Sequence, residues 1–139
     1  MKTLSEKILS IESADALIQS ADHSATTKQL KLCFAVCDAA GHLRAFRRMD
    51  SAGPISINVA IGKARTAALF GKPTQFLEKM IDSGKASMTT VPDMVPIAGG
   101  VPVLDSDFCV GALGVSGASS EVDNQVAMMA INTFVGKRS

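Results

Sequence analysis

The apolar positions of this chain come in short blocks whose spacing changes from helical to alternating and back. Leu4, Ile8, Ile11 and Ile18 share one helical stripe, interrupted only by Asp15. Thr3 and Glu6 stand at the T-x-x-E spacing of a capping box, so the pattern predicts a helix that starts there. The polar run from Ser20 to Gln29 reads as its exit loop. Leu30, Leu32, Phe34 and Val36 then alternate with Cys33, Ala35 and Cys37. Both faces are apolar, which predicts a central strand covered on both sides. Asp38-Ala39-Ala40-Gly41 supplies turn chemistry, and the segment from His42 to Asp50 returns as the second strand of a hairpin. It carries His42, Arg44, Arg47, Arg48 and Asp50, a polarity that suits a sheet edge or the side of a ligand.

Pro54 opens a second helix, in which Ile57, Ile61, Ala64 and Ala68 form a stripe widened by Ala60 and Ala67. Side chains this small predict a helix lying close to the sheet. Lys63, Thr66 and Phe70 form a separate stripe on it. Gly71 ends this helix, and Pro73 starts another that Gly84 closes. From Lys85 to Gly100 no period holds; Pro92 and Pro96 interrupt it. Such a stretch reads as a lid or binding loop, with room for a short edge strand. Two strands follow, Val101 to Asp105 and Cys109 to Gly117. The second is rich in glycine and alanine, and missing side chains on a strand mean close approach of a helix or a ligand. Ser119 or Ser120 caps a final helix, with Glu121 and Asp123 in its first turn. The order α-β-β-α-α-(β)-β-β-α makes the class α+β, with a mostly antiparallel sheet in two or three layers.

Composition narrows the function classes. The 139 residues suit a single domain spanning 1–139, and 47% hydrophobic against 19% charged residues excludes intrinsic disorder. A net charge of +1 provides no basic field for nucleic acid, and 4% aromatics without Trp or Tyr provide few stacking platforms. No uncharged stretch reaches the ~20 apolar residues of a membrane span. Glu6, Lys7, Glu12 and Asp15 break any signal-peptide core, so the expected location is cytoplasmic. Cys33 and Cys37 lie four residues apart on one strand, ~13 Å, too far for a disulfide.

Three motifs then appear in order. D-x-x-G-H (38–42) is followed by R-M-D (48–50), K-A-x-T-A occupies 63–67, and GG-x-P (99–102) precedes G-V-S-G (114–117). With the segments around them, they resemble the heme-binding GlcG/HbpS-like family, which includes the C-terminal domain of PduO-type cobalamin adenosyltransferases. The similarity runs from about Leu4 to Phe134. The resemblance implies a profilin-like sheet of about five antiparallel strands with helices on both faces. It also implies a homo-oligomer and, in some members, heme or corrinoid-related roles. It implies no single reaction, and adenosyl transfer is not carried over.

Heme requires an apolar slot, an axial ligand and cations for its propionates. His42 occupies the family's Gly-His position and is the first candidate for the iron; His23 is the second. A turn-side histidine holding Asp38 is the other reading of His42. Arg48, Asp50, Lys63 and Thr66 make a polar constellation. It is either an anion site near the middle helix or an internal bridge from Asp50 to Arg or Lys that fixes a corner. Gly99, Gly100, Ser116 and Gly117, with the loop around Met88 to Pro96, are the candidate pocket walls. Without C-x-x-C-H any heme is non-covalent, and two histidines with scattered carboxylates lead us to expect no structural metal. No catalytic residue is assigned.

These readings describe an oligomeric small-molecule-binding protein whose ligand is heme or a relative of it. Its partners would be copies of itself and the ligand, not nucleic acid or a membrane. The alternatives are an accessory protein or small enzyme in cobalamin-linked diol or polyol metabolism, with a cobalamin-related ligand, and a structural assembly protein.

Overall fold

Ser10, not Thr3, starts the first helix. In the computed structural model, which describes residues 1–138, α1 spans Ile11–Thr27, and the Ser13 N–H donates to Ser10 Oγ at 3.1 Å. The segment before it is held by another part of the chain: the Leu9 N–H donates to the Val110 carbonyl at 3.1 Å. Val110 is the extra residue of a bulge, so its backbone is left without a partner in the neighbouring strand. That long-range bond keeps Leu9 buried and leaves Leu4 and Ile8 exposed. The expected exit loop is helical as far as Thr27. Ala21 and Ala25 continue the buried stripe of Ala14, Leu17 and Ile18, and alanine is the strongest helix former.

Four strands form one antiparallel sheet in the order β2-β1-β4-β3, with β1 at Cys33–Asp38, β2 at Leu43–Arg48, β3 at Gly100–Asp105 and β4 at Phe108–Ser116. The class is α+β as expected, but the sheet has four strands rather than about five. The residues between Lys85 and Gly100 make a 3₁₀ turn at Ala86–Thr90 and no strand. Thr74 takes the place beside the start of β3. Its N–H donates to the Gly100 carbonyl at 2.9 Å, and its hydroxyl accepts from the Gly100 N–H at 2.9 Å.

The alternation in β1 sorts the core into two unlike halves. Phe34 and Val36 join Leu32, α1 and the last helix, α4 (Ser120–Arg138), in one cluster. Cys33, Ala35 and Cys37 face α2 (Ile55–Phe70), where they meet Ala60, Ala64, Ala67 and Ala68. The molecule therefore has three layers, with large side chains filling one interface and small ones the other. The polar strand β2 lies at the edge. Its Arg47 pairs with Asp22 of α1. The short helix α3 (Gln75–Asp82) follows α2 and buries Leu77. The final helix is capped by Ser119, whose hydroxyl accepts from the Val122 N–H at 3.3 Å.

Glycines set how near α2 can come. A Cβ added at Gly114 would stand 2.1 Å from the Ala60 carbonyl oxygen and 2.6 Å from the Ala64 nitrogen. One at Gly100 would stand 2.2 Å from the Lys63 carbonyl oxygen. Of the two causes for a glycine-rich strand, a helix is the one observed here: its backbone lies where side chains would be.

Gly114→Ala is expected to cost about 1–3 kcal/mol or more, because α2 must shift to admit the methyl group. Gly53→Ala, where an added Cβ meets nothing within 4 Å, should stay within about 0.5 kcal/mol of wild type. Urea denaturation of the two variants checks this.

Candidate functional site

The sequence-predicted residues divide between the interior and one end of the sheet. Lys63 is 1% exposed, and its ammonium donates to Asp123 Oδ2 and to the Val115 carbonyl, both at 3.0 Å. Asp123 is 2% exposed, and its Oδ1 accepts from the Ala118 N–H at 2.9 Å. Burial raises the Asp123 carboxyl above its ordinary range, opposed by the Lys63 charge and by the Ala118 amide. One ion pair thus ties α2, the end of β4 and the first turn of α4. Asp123 was read from sequence only as a favourable helix start; its spacing from Lys63 gives no sign of the pairing.

Gly99 and Gly100 lie against Lys63 and close around the ion pair. A Cβ at Gly99 would stand 2.6 Å from the Val115 carbonyl oxygen and 2.8 Å from Lys63 Nζ. Ser116 is buried at the end of β4. Gly117 backs onto the chain at Lys31, where an added Cβ would meet the carbonyl oxygen at 2.7 Å.

Arg48 and Asp50 are exposed, away from that interior pair. The corner bridge read from sequence is made differently. Arg48 donates from Nε and Nη2 to the Ala52 carbonyl at 3.1 and 3.0 Å, while the ammonium of Lys63 goes to Asp123 rather than Asp50. Thr66 holds the irregular segment. Its hydroxyl donates to the Gly62 carbonyl at 2.7 Å and accepts from the Val95 N–H at 2.9 Å. Thr74 fixes the same segment further on by donating to the Ile97 carbonyl at 2.6 Å. A hollow of about 140 Å³ remains between Thr66, Leu69 and Phe70 of α2 and Pro92, Asp93 and Met94.

His42 is placed otherwise. Asp38 Oδ1 accepts from the N–H groups of Ala40 and His42, each at 3.0 Å, which fixes the turn. The His42 side chain is 82% exposed, and its Nδ1 stands 3.8 Å from Asp38 Oδ2, beyond hydrogen-bond reach. Ala39 and Ala40 of this turn wall an open hollow of about 440 Å³ together with Phe108, Cys109 and the arm residues Ser5, Glu6 and Lys7. The sequence places Ser5, Glu6 and Lys7 in a helix, so it gives no sign that they meet this turn. His23 is exposed on α1, across the sheet from α2.

Burial disfavours the thiolate at all three cysteines. Burial pushes Cys37 up to about 12, and burial also raises Cys33 and Cys109. Cys109 donates to the Gly111 carbonyl at 3.2 Å. Among the described residues no group of three metal-binding side chains occurs, and no helix is long and apolar enough to cross a membrane.

Known proteins of this fold agree with one another. The family model described as "Haem degrading protein HbpS-like" matches residues 9–132. Protein GlcG of Escherichia coli K12 is 39% identical over 116 residues, covering 84% of this chain and 85% of that one. An uncharacterised 15.0 kDa protein from the dhaT-dhaS intergenic region of Citrobacter freundii is 27% identical over 130 residues, covering 91% and 92%. Among solved structures, an HbpS double mutant from Streptomyces reticuli superposes with a TM-score of 0.88 at 30% identity, covering 94% of this chain and 90% of that one. A PduOC:heme complex superposes at 0.81 with 27% identity, covering 90% and 94%.

Lys63→Met is expected to destabilise the chain by roughly 3–5 kcal/mol, since it leaves the Asp123 carboxylate buried and unpaired. Lys63→Met combined with Asp123→Leu should recover most of that loss, as measured by chemical denaturation of the single and double variants. At pH 8 a thiol reagent should modify at most Cys109 in the folded protein and all three cysteines after unfolding. A fast reaction of Cys37 in native buffer would contradict its burial.

Proposed function

The chain belongs to the HbpS-like family, and from that premise we propose that it binds heme non-covalently beside the β1–β2 turn. The observation that carries this is His42. Its imidazole stands out of the turn with Nδ1 toward Asp38, which leaves Nε2 open to a ligand. Beside the turn, Ala39, Ala40 and Phe108 give an apolar wall to a hollow of about 440 Å³, within the usual range for small-molecule sites, with Glu6 and the Asp105-paired Lys7 also lining it. His42 would hold the iron. Bound there, heme would supply redox or oxygen chemistry that no side chain provides.

In this reading Lys63, Thr66, Gly99, Gly100, Ser116 and Gly117 act behind the ligand. They lock α2, the irregular segment and α4 to the sheet and so fix the turn that carries His42. Arg48 and Asp50 serve the corner between β2 and α2. The hollow is open on its outer side, and a second copy of the chain would close it. Exposed Leu4, Ile8, Ile55, Leu69, Phe76 and Phe108 support self-association. A profilin-like scaffold and a cytoplasmic location, where the free thiols stay reduced, belong to the same proposal. The PduOC complex supports heme over a corrinoid, since heme is what that relative holds. No catalytic role is assigned.

Titration of the purified protein with hemin should give a saturable Soret band, and His42→Ala should weaken binding by about tenfold or more or shift the band. A trace that never saturates and is indifferent to His42→Ala would remove the proposal.

A further inference from the structure

The two edges of the sheet are finished differently. On β3 the Gly99 carbonyl accepts from the Val115 N–H, so by alternation Val101 and Val103 turn their backbone groups to β4, and Gly100 and Pro102 turn theirs outward. That edge is blocked where it starts. Thr74 takes both polar groups of Gly100, and Pro102 has no N–H to offer. On β2 the Met49 N–H donates to the Leu32 carbonyl, so Arg47 and Ala45 continue the ladder with β1, and Phe46 and Arg48 turn their N–H and C=O groups outward. Arg44 is the extra residue of a bulge and stands outside the ladder. Among the described residues nothing hydrogen-bonds these outward groups. A row of unpaired backbone groups is a template for another strand.

Side chains decide which strand can add. Arg44, Arg47 and Arg48 are all exposed. Asp22 neutralises Arg47. Arg48 donates only to the uncharged Ala52 carbonyl, and Arg44 makes no hydrogen bond or ion pair among the described residues. Two positive charges are therefore left along the edge. Of the acids next to the strand in sequence, Asp38 is engaged with turn amides and Asp50 lies beyond the end of β2. A second copy pairing antiparallel through its own β2, centred on Phe46, would set Arg44 of each chain against Arg48 of the other, and like charges directly opposite are destabilising.

We propose that the outer edge of β2 is a docking edge for an extended acidic segment of another protein, which adds to the sheet as a strand with carboxylates beside Arg44 and Arg48. Backbone bonds to Phe46 and Arg48 hold the segment, and the arginines select its charge. This role is independent of heme.

The probe is a short labelled peptide of alternating valine and glutamate, compared with one of alternating valine and lysine. Each is titrated into the full chain at low salt and followed by fluorescence anisotropy. The acidic peptide should bind saturably, and the basic one at least about tenfold more weakly. Arg44→Glu should reverse that order with an unchanged thermal melt. In hydrogen exchange followed by NMR, the acidic peptide should slow the amides of Phe46 and Arg48 and leave Ala45 and Arg47, already bonded to β1, nearly as they were. Absence of saturable binding, equal affinity for the two peptides, an order that Arg44→Glu does not change, or binding that leaves the exchange of Phe46 and Arg48 untouched would each refute the docking edge. Protection of those two amides that rises with protein concentration in the absence of peptide would refute it too, since a second copy then holds the edge. Hemin titrations decide none of these outcomes, so the heme reading stands or falls separately.

Discussion

A buried charge governs this fold. Lys63 lies in a helix so close to the sheet that a Cβ added at Gly99 or Gly100 would run into it, and its side chain is 1% exposed. Such a charge is tolerated only when it is paired and hydrogen-bonded. Asp123 and the Val115 carbonyl satisfy it together, from two different elements. The pair therefore constrains where α4 can start and how β4 can end. Gly99 and Gly100 are small because this junction occupies the space their side chains would need. What reads as a pocket lining in the sequence is the closed joint of the structure.

With that joint closed, the openings lie elsewhere. The small-residue interface brings α2 across the sheet toward its Gly41 end, where the β1–β2 turn leans on the Arg65 side chain. The turn is rigid because Asp38 bonds two backbone amides within it. The bonded turn on α2 thus fixes the backbone from which the exposed imidazole projects. The N-terminal arm, bonded to the β4 bulge through Leu9, brings Ser5 to Lys7 to the same hollow as Phe108 and Cys109. Scaffold and proposed ligand site are thus separate groups of residues joined by α2.

Much of the scaffold was legible because it follows from local period. The double-sided alternation of β1, the polar edge of β2 and the small face of α2 all appear in the structure as read. Four features were not legible, and each depends on a partner distant in sequence. The capping box at Thr3 is locally sound but loses to the bond between Leu9 and Val110. The polar stretch after Ser20 stays helical because Ala21 and Ala25 meet a core that composition does not reveal. The fifth strand is absent, and Thr74 beside β3 makes the hydrogen bonds at its start. Of the candidate residues, Lys63, Gly99 and Gly100 lie together in the structure. Their role differed, because Asp123 lies 60 positions from Lys63 and nothing local announces the pairing.

The most direct measurement is an amide chemical-shift map of the isotopically labelled protein titrated with a diamagnetic metalloporphyrin. This account predicts shifts concentrated at Ala39 to Arg44, Arg65 and Phe108 to Cys109, with the amides of Gly99, Gly100 and Val115 to Gly117 nearly still. Shifts centred instead on Lys63, Gly99, Gly100 and Gly117 would mean that the closed joint opens to receive the ligand, and would contradict it.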